Sequence, residues 1–77
     1  MYERIRNMRE DKDLTQEQIA KYLNIHQVTY SSYEIGKRNI PVQAVAQLAV
    51  YYDVSVDYLI NLTDEKKPYP RKKRKKW

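Results

Sequence analysis

The sequence predicts an all-α protein, a compact bundle of five short helices. Three observations point there. One glycine and three prolines punctuate 77 residues, which suits short helices better than hairpins. Apolar residues recur three and four positions apart, the period of a helix face. Residues that start or stop helices (Thr15, Asn24, Gly36, Pro41 and Ser55) divide the chain into short pieces. A chain this long makes one domain that buries about 60% of its unfolded surface, so its core is thin.

The first helix is expected over about residues 2–11, with Ile5 and Met8 on its inner face. Thr15-Gln16-Glu17-Gln18 then reads as a capping box. The Thr15 hydroxyl accepts from the Gln18 backbone N–H, and the Gln18 side chain reaches back. Glu17 suits the positive end of the helix dipole. This second helix buries Ile19, Ala20 and Leu23 and stops near Asn24, a residue that tolerates the left-handed conformation. A third helix begins near His26 or Gln27, turns Tyr30 and Tyr33 inward and stops at Gly36. Pro41 starts a fourth, because a missing N–H costs nothing in the first turn. Its inner positions are Val45, Leu48, Ala49 and Tyr52. Ser55 caps a short fifth helix carrying Val56, Leu59 and Ile60. No internal repeat is evident.

The formal charge of +5 conceals two regions of opposite sign. Lys66 to Trp77 hold eight basic residues and no acid, whereas the preceding 65 residues hold seven basic against ten acidic groups. The domain is therefore expected over residues 1–63, with a basic, disordered tail over 64–77. The basic balance belongs to the tail and is no argument that the domain binds a polyanion. The tail admits three readings: an arm on DNA, a nonspecific polyanion anchor, or a merely solvated end. Its last twelve residues span at most about 40 Å when extended. Trp77 reads either as a base-stacking residue or as an incidental terminal aromatic.

Composition narrows the function classes. With no cysteine, a disulfide framework, a thiolate metal site and a cysteine nucleophile are all excluded. The single histidine, His26, provides neither a triad nor a histidine cluster, so no metal and no cofactor is expected. No apolar run approaches the roughly 18–20 residues that cross a bilayer, and no signal peptide is recognised, so a cytoplasmic location without membrane contact is expected. An enzyme would need converging carboxylates or a His/Ser/Lys constellation. Asp11 with Asp13 and Asp53 with Asp57 lie at helix ends without a basic partner at catalytic spacing, and read as solvated caps.

The second and third helices, joined by Leu23-Asn24-Ile25, have the length and break of a helix-turn-helix unit. The residues in and around them add more. Leu14-Thr15-Gln16-Glu17-Gln18-Ile19-Ala20, Leu23-Asn24-Ile25, Gln27 to Glu34, Gly36-Lys37-Arg38 and Pro41 stand in an order and spacing that resemble the phage-repressor and Cro type of helix-turn-helix protein, the xenobiotic-response-element family. Leu48-Ala49 and Val54-Ser55-Val56-Asp57-Tyr58-Leu59 continue the likeness, which covers about residues 3–62.

The resemblance implies a lambda-repressor-like DNA-binding domain that regulates transcription, usually a dimeric repressor on a palindromic operator. Helix 3 would lie in the major groove while helix 2 crosses the backbone. Gln27, Val28 and Ser32 match base-contacting positions. A glutamine amide pairs with adenine N6 and N7, and a valine methyl suits a thymine methyl. Gln16, His26, Thr29, Ser31, Lys37 and Arg38 match phosphate-contacting positions, Gln16 at a helix N-terminus with free N–H donors. Arg9 and Glu34 match an ion pair joining helix 1 to the end of helix 3. The region from the fourth to the fifth helix, including Val54, Val56 and Tyr58, is the expected dimer contact. Half-sites about 34–36 Å apart would follow.

Each position also has a plainer reading. Gln27, Ser31 and Ser32 suit a solvent-facing helix surface, Val28 a marginal core site, and Arg9 and Glu34 two separately solvated charges. The chain departs from the family pattern at four places: Asn24 for a turn glycine, His26 for a small hydroxyl cap, Ser32 for a longer polar residue and Ile35 for a polar one. Short Ser31 and Ser32 shift weight toward water-mediated or shape-based reading. The rival from another class is a protein-interaction module on the same fold, antitoxin- or antirepressor-like, holding a protein partner and touching DNA only through the tail.

Overall fold

The computed structural model describes residues 2–68. It contains α1 (Glu3–Asp11), α2 (Gln16–Leu23), α3 (Gln27–Glu34), α4 (Val42–Tyr52) and α5 (Val56–Leu59), with no strand among the described residues. α2 packs against α3, α4 against α5, and α1 touches both α3 and α5. All five helices feed one core: Ile5 and Met8 from α1, Ile19, Ala20 and Leu23 from α2, Tyr30 from α3, Val45, Leu48, Ala49 and Tyr52 from α4, and Leu59 from α5. Val54, in the turn after α4, joins them. Tyr33 is half-buried at the edge.

Helix starts follow local chemistry. Thr15 forms the full capping box, its Oγ1 accepting from Gln18 N at 3.0 Å and its own N–H donating to Gln18 Oε1 at 2.8 Å. Ser55 caps α5 by accepting from Tyr58 N at 2.9 Å. His26 occupies the N-cap position of α3, but its imidazole makes no capping bond. A ring nitrogen on a longer side chain does not fold back onto its own helix as a hydroxyl does.

Helix ends repeat one device. Each of the five ends in a Schellman motif, in which one residue turns left-handed and two backbone N–H groups return to the last turn. The left-handed residues are Asp13, Asn24, Gly36, Asp53 and Asn61. The six-to-one bonds run from Leu14 N to Arg9 O, Ile25 N to Ala20 O, Lys37 N to Ser32 O, Val54 N to Ala49 O and Leu62 N to Asp57 O, all between 2.8 and 3.0 Å. Aspartate and asparagine serve at four of the five positions because their short polar side chains tolerate positive φ. That tolerance is how a chain with one glycine makes five helix stops.

The residue after each left-handed one differs in a useful way. Leu14, Ile25 and Val54 are apolar and pack on or in the core. After α3 the position is Lys37, which is exposed. The α3 stop therefore launches a basic loop into solvent where three of the others anchor an apolar side chain inward.

Past α5 the chain returns along α1 and α5. Ser55 N donates to Lys66 O at 2.9 Å, and Ser55 Oγ donates to Glu65 O at 3.1 Å. Arg4 donates to the carbonyls of Tyr58 and Thr63 and to Asp64 Oδ1, the last at 2.6 Å. Its guanidinium also stacks 4.1 Å from the centroid of the Tyr58 ring, with the Lys66 ammonium 5.6 Å away. The remainder of the expected tail, residues 69–77 with Trp77, lies outside the described residues.

The expected dimer contact places an interior residue on the surface. Val54 is 3% exposed, because the Schellman turn after α4 folds it into the core. Val56 and Tyr58 are half-buried, and Tyr58 is flanked by Arg4 and Lys66.

Candidate nucleic-acid interface

The left-handed turn at Asn24 sets α3 across α2, and α3 then shows one polar side outward. Gln16, Gln27, Val28, Ser31, Ser32, Ile35 and Lys37 line a single open groove of about 480 Å³.

 Most of the residues expected at bases or phosphates are thus brought to one face. Gln27 and Val28 are exposed, Val28 at 77%, while Ser31 and Ser32 are half-buried in the floor.

The remaining expected residues lie around it. His26 lines the elbow between α2 and α3 with Glu17, Lys21, Asn24 and Gln27, so Gln27 stands on the rim of both hollows. Thr29 is half-buried and Arg38 exposed, and neither lines these two hollows. The backbone of the basic loop is fixed, because the Lys37 and Arg38 N–H groups both donate to Ser32 O, at 2.9 and 3.3 Å. Gly36, at φ 83°, makes that reversal possible.

Two groove residues have part of their hydrogen-bonding capacity occupied. Ser32 Oγ donates to Val28 O at 2.9 Å, so toward a base edge it offers an acceptor. Gln16 Nε2 donates to Glu34 Oε1 at 3.0 Å, and its second amide hydrogen remains for an anion.

Arg9 and Glu34 form the expected ion pair. Arg9 Nε donates to Glu34 Oε2 at 2.7 Å, and the side chains are 12% and 2% exposed. Burial pushes the Glu34 carboxyl up, but hydrogen bonds from Arg9 and Gln16, with the Tyr30 hydroxyl close by, outweigh it and hold the group below the ordinary glutamate value. The carboxylate is therefore charged and matched, and it does not stand open to repel a polyanion.

Ile35 is a groove residue that the sequence alone does not place here. It is 58% exposed and lines the groove beside Val28. The available signal was its chemistry, an apolar residue before Gly36 where the resemblance has a polar one. Among the described residues, no group of three or more His, Asp or Glu side chains is placed to hold a metal ion, and no helix is long and apolar enough to cross a membrane.

This arrangement defines the class: a helix-turn-helix domain that presents its third helix. The chain belongs to the Cro/C1-type helix-turn-helix family, whose model matches residues 5–59. It is 40% identical over 73 residues to the HTH-type transcriptional regulator YobD of Bacillus subtilis, covering 95% of this chain and 63% of that one. It is 33% identical over 58 residues to the cryptic phage CTXphi transcriptional repressor RstR of Vibrio cholerae, covering 75% and 52%. With the Bacillus subtilis HTH-type transcriptional regulator AnsR it shares 30% over 69 residues, 90% and 60% of the two chains. The chain thus spans about half to two thirds of the length of these curated relatives. No solved structure matches it significantly.

Proposed function

We propose that this chain is a sequence-specific, double-stranded-DNA-binding transcriptional regulator, a repressor that works as a dimer on a palindromic operator. The observation that carries this reading is the single groove containing Gln16, Gln27, Val28, Ser31, Ser32 and Lys37. It combines an amide at a helix N-terminus, a methyl-bearing side chain, short hydroxyls and a flanking cation. Those are the groups that read base edges and hold phosphates. α3 enters the major groove, Gln27 pairs with an adenine, and Lys37 with Arg38 holds the backbone. His26, Thr29 and Ser31 border the same phosphates.

One such unit touches few base pairs, so two copies read two half-sites. For their mutual contact we favour the outer side of α4. This helix has eleven residues and no charged one, in a chain whose residues are 32% charged. Val42, Ala46, Val50 and Tyr51 are exposed along it, and Tyr51 stacks on Tyr22 of α2 with centroids 4.5 Å apart. A neutral face meets its own copy without like-charge repulsion, and Ala46 at its centre permits close helix approach.

The test is selection of bound sequences from a random duplex library at about 150 mM salt, where nonspecific binding is weakened. Wild type is compared with Gln27→Ala. Enrichment of a palindromic motif that relaxes at one position per half-site in Gln27→Ala is expected. No enrichment by the wild type overturns the reading and favours a protein partner.

A further inference from the structure

We propose that Ile35 is a specificity-determining residue that reads the 5-methyl group of a thymine. This rests on the DNA-reading function above and deepens it by naming a second thymine in each half-site.

Val28 and Ile35 are seven residues apart and line the same groove. Seven residues are two turns of helix, about 10.5 Å of rise. Along a duplex that is about three steps of 3.4 Å. Between them stand only Ser31 and Ser32, both half-buried, with the Ser32 hydroxyl turned back to Val28 O. The outward profile of α3 beyond Gln27 is therefore two apolar projections separated by a shallow polar dip.

Ile35 has no role in the core. It is 58% exposed and is absent from the side chains packed against the buried cluster. Its backbone is nonetheless held. Ile35 N donates to Ser31 O at 3.1 Å, and the left-handed Gly36 behind it fixes the helix end. A β-branched side chain on a fixed backbone has few rotamers, so its methyl groups are presented in a defined place. Isoleucine neither donates nor accepts a hydrogen bond. In the major groove the feature it can recognise is the thymine methyl, which cytosine, adenine and guanine lack. Lys37, on the same groove wall, holds the adjoining backbone.

The test takes the operator obtained by selection and replaces each thymine singly by deoxyuridine, which removes the methyl and keeps the pairing. Wild-type affinity should fall about three- to five-fold at two thymines per half-site, the loss expected for one buried methyl. Ile35→Ala should abolish the loss at one of them, about three base pairs from the other, and leave the Gln27 and Val28 positions unchanged. Ile35→Val should retain part of it. The inference is overturned if deoxyuridine has no effect beyond the Val28 position, or if Ile35→Ala keeps the full response. Those results leave the motif and its Gln27→Ala relaxation in place, so they separate this failure from failure of the general reading. Selection that enriches nothing overturns both.

Discussion

The Arg9 guanidinium meets the Glu34 carboxylate side-on, with Nε donating to Oε2 at 2.7 Å and Nη2 to Oε1 at 3.2 Å. Arg9 Nη1 also donates to Leu14 O at 2.7 Å, and Gln16 reaches Glu34 Oε1. One buried carboxylate at the end of α3 thereby gathers α1, the α1–α2 turn and the start of α2. The groove residues keep their relative positions through this junction.

Removing one partner leaves a buried charge unmatched. Arg9→Ala and Glu34→Ala should each destabilise the domain by about 3–5 kcal/mol, a large share of the roughly 5–15 kcal/mol that holds an ordinary domain folded. The double replacement Arg9→Met with Glu34→Leu should cost much less than the sum of the single changes. Urea unfolding of the three variants checks this.

The same pair sets an acid dependence. Glu34 is held below its unfolded value, so its contribution is fully present above that value and is lost as pH falls through the lower folded one. The urea midpoint of the wild type should fall as the solution is acidified through the carboxylate range. Glu34→Gln should be less stable at neutral pH and show a shallower acid slope.

Asn24 stands left-handed at φ 61°, where glycine carries no Cβ penalty. Asn24→Gly should stabilise the domain by about 0.5–1 kcal/mol, and Asn24→Ala should destabilise it by about 1 kcal/mol. Thermal midpoints give the sign. DNA affinity should change little, because neither variant alters a groove side chain.

Two buried tyrosine hydroxyls, those of Tyr30 and Tyr52, lack a well-formed hydrogen bond. They differ in surroundings. Burial pushes both groups up, and Tyr30 also faces the Glu34 carboxylate. Tyr52→Phe should therefore be neutral or stabilising by about 1 kcal/mol, since it removes an unmatched buried hydroxyl. Tyr30→Phe should be destabilising. Denaturant midpoints of the two variants should move apart.

Cations that hold the phosphate backbone should act on affinity without choosing sequence. Lys37→Ala with Arg38→Ala should weaken operator and random DNA by similar factors and reduce the salt slope by up to about 1.8, at about 0.9 per phosphate. Ending the chain after Pro68 removes six basic residues while keeping Lys66, whose carbonyl is bonded to Ser55. That truncation should flatten the slope further. Affinity measured across a salt series tests both.

Much of the fold is legible in the sequence because its signals are local. Thr15 and Gln18 lie within one turn, as do Ser55 and Tyr58, so their caps follow from spacing. The apolar period gives the core faces, and the order of residues from Leu14 to Pro41 gives the helix-turn-helix and the family. What spacing could not decide was contact between distant segments. Val54 is interior because the turn after α4 points it inward, although its place in the sequence suits a surface contact. Ser32 has its hydroxyl turned to Val28 O, Gln16 is tied to Glu34, and residues 63–66 are held by Arg4 and Ser55. Ile35 became a groove residue only when α3 was set across α2. Where helices begin, end and bury their faces follows from the order of residues, since those features depend on neighbours within a turn. Which side chains share one surface follows only from the packed fold, since that depends on how the helices cross.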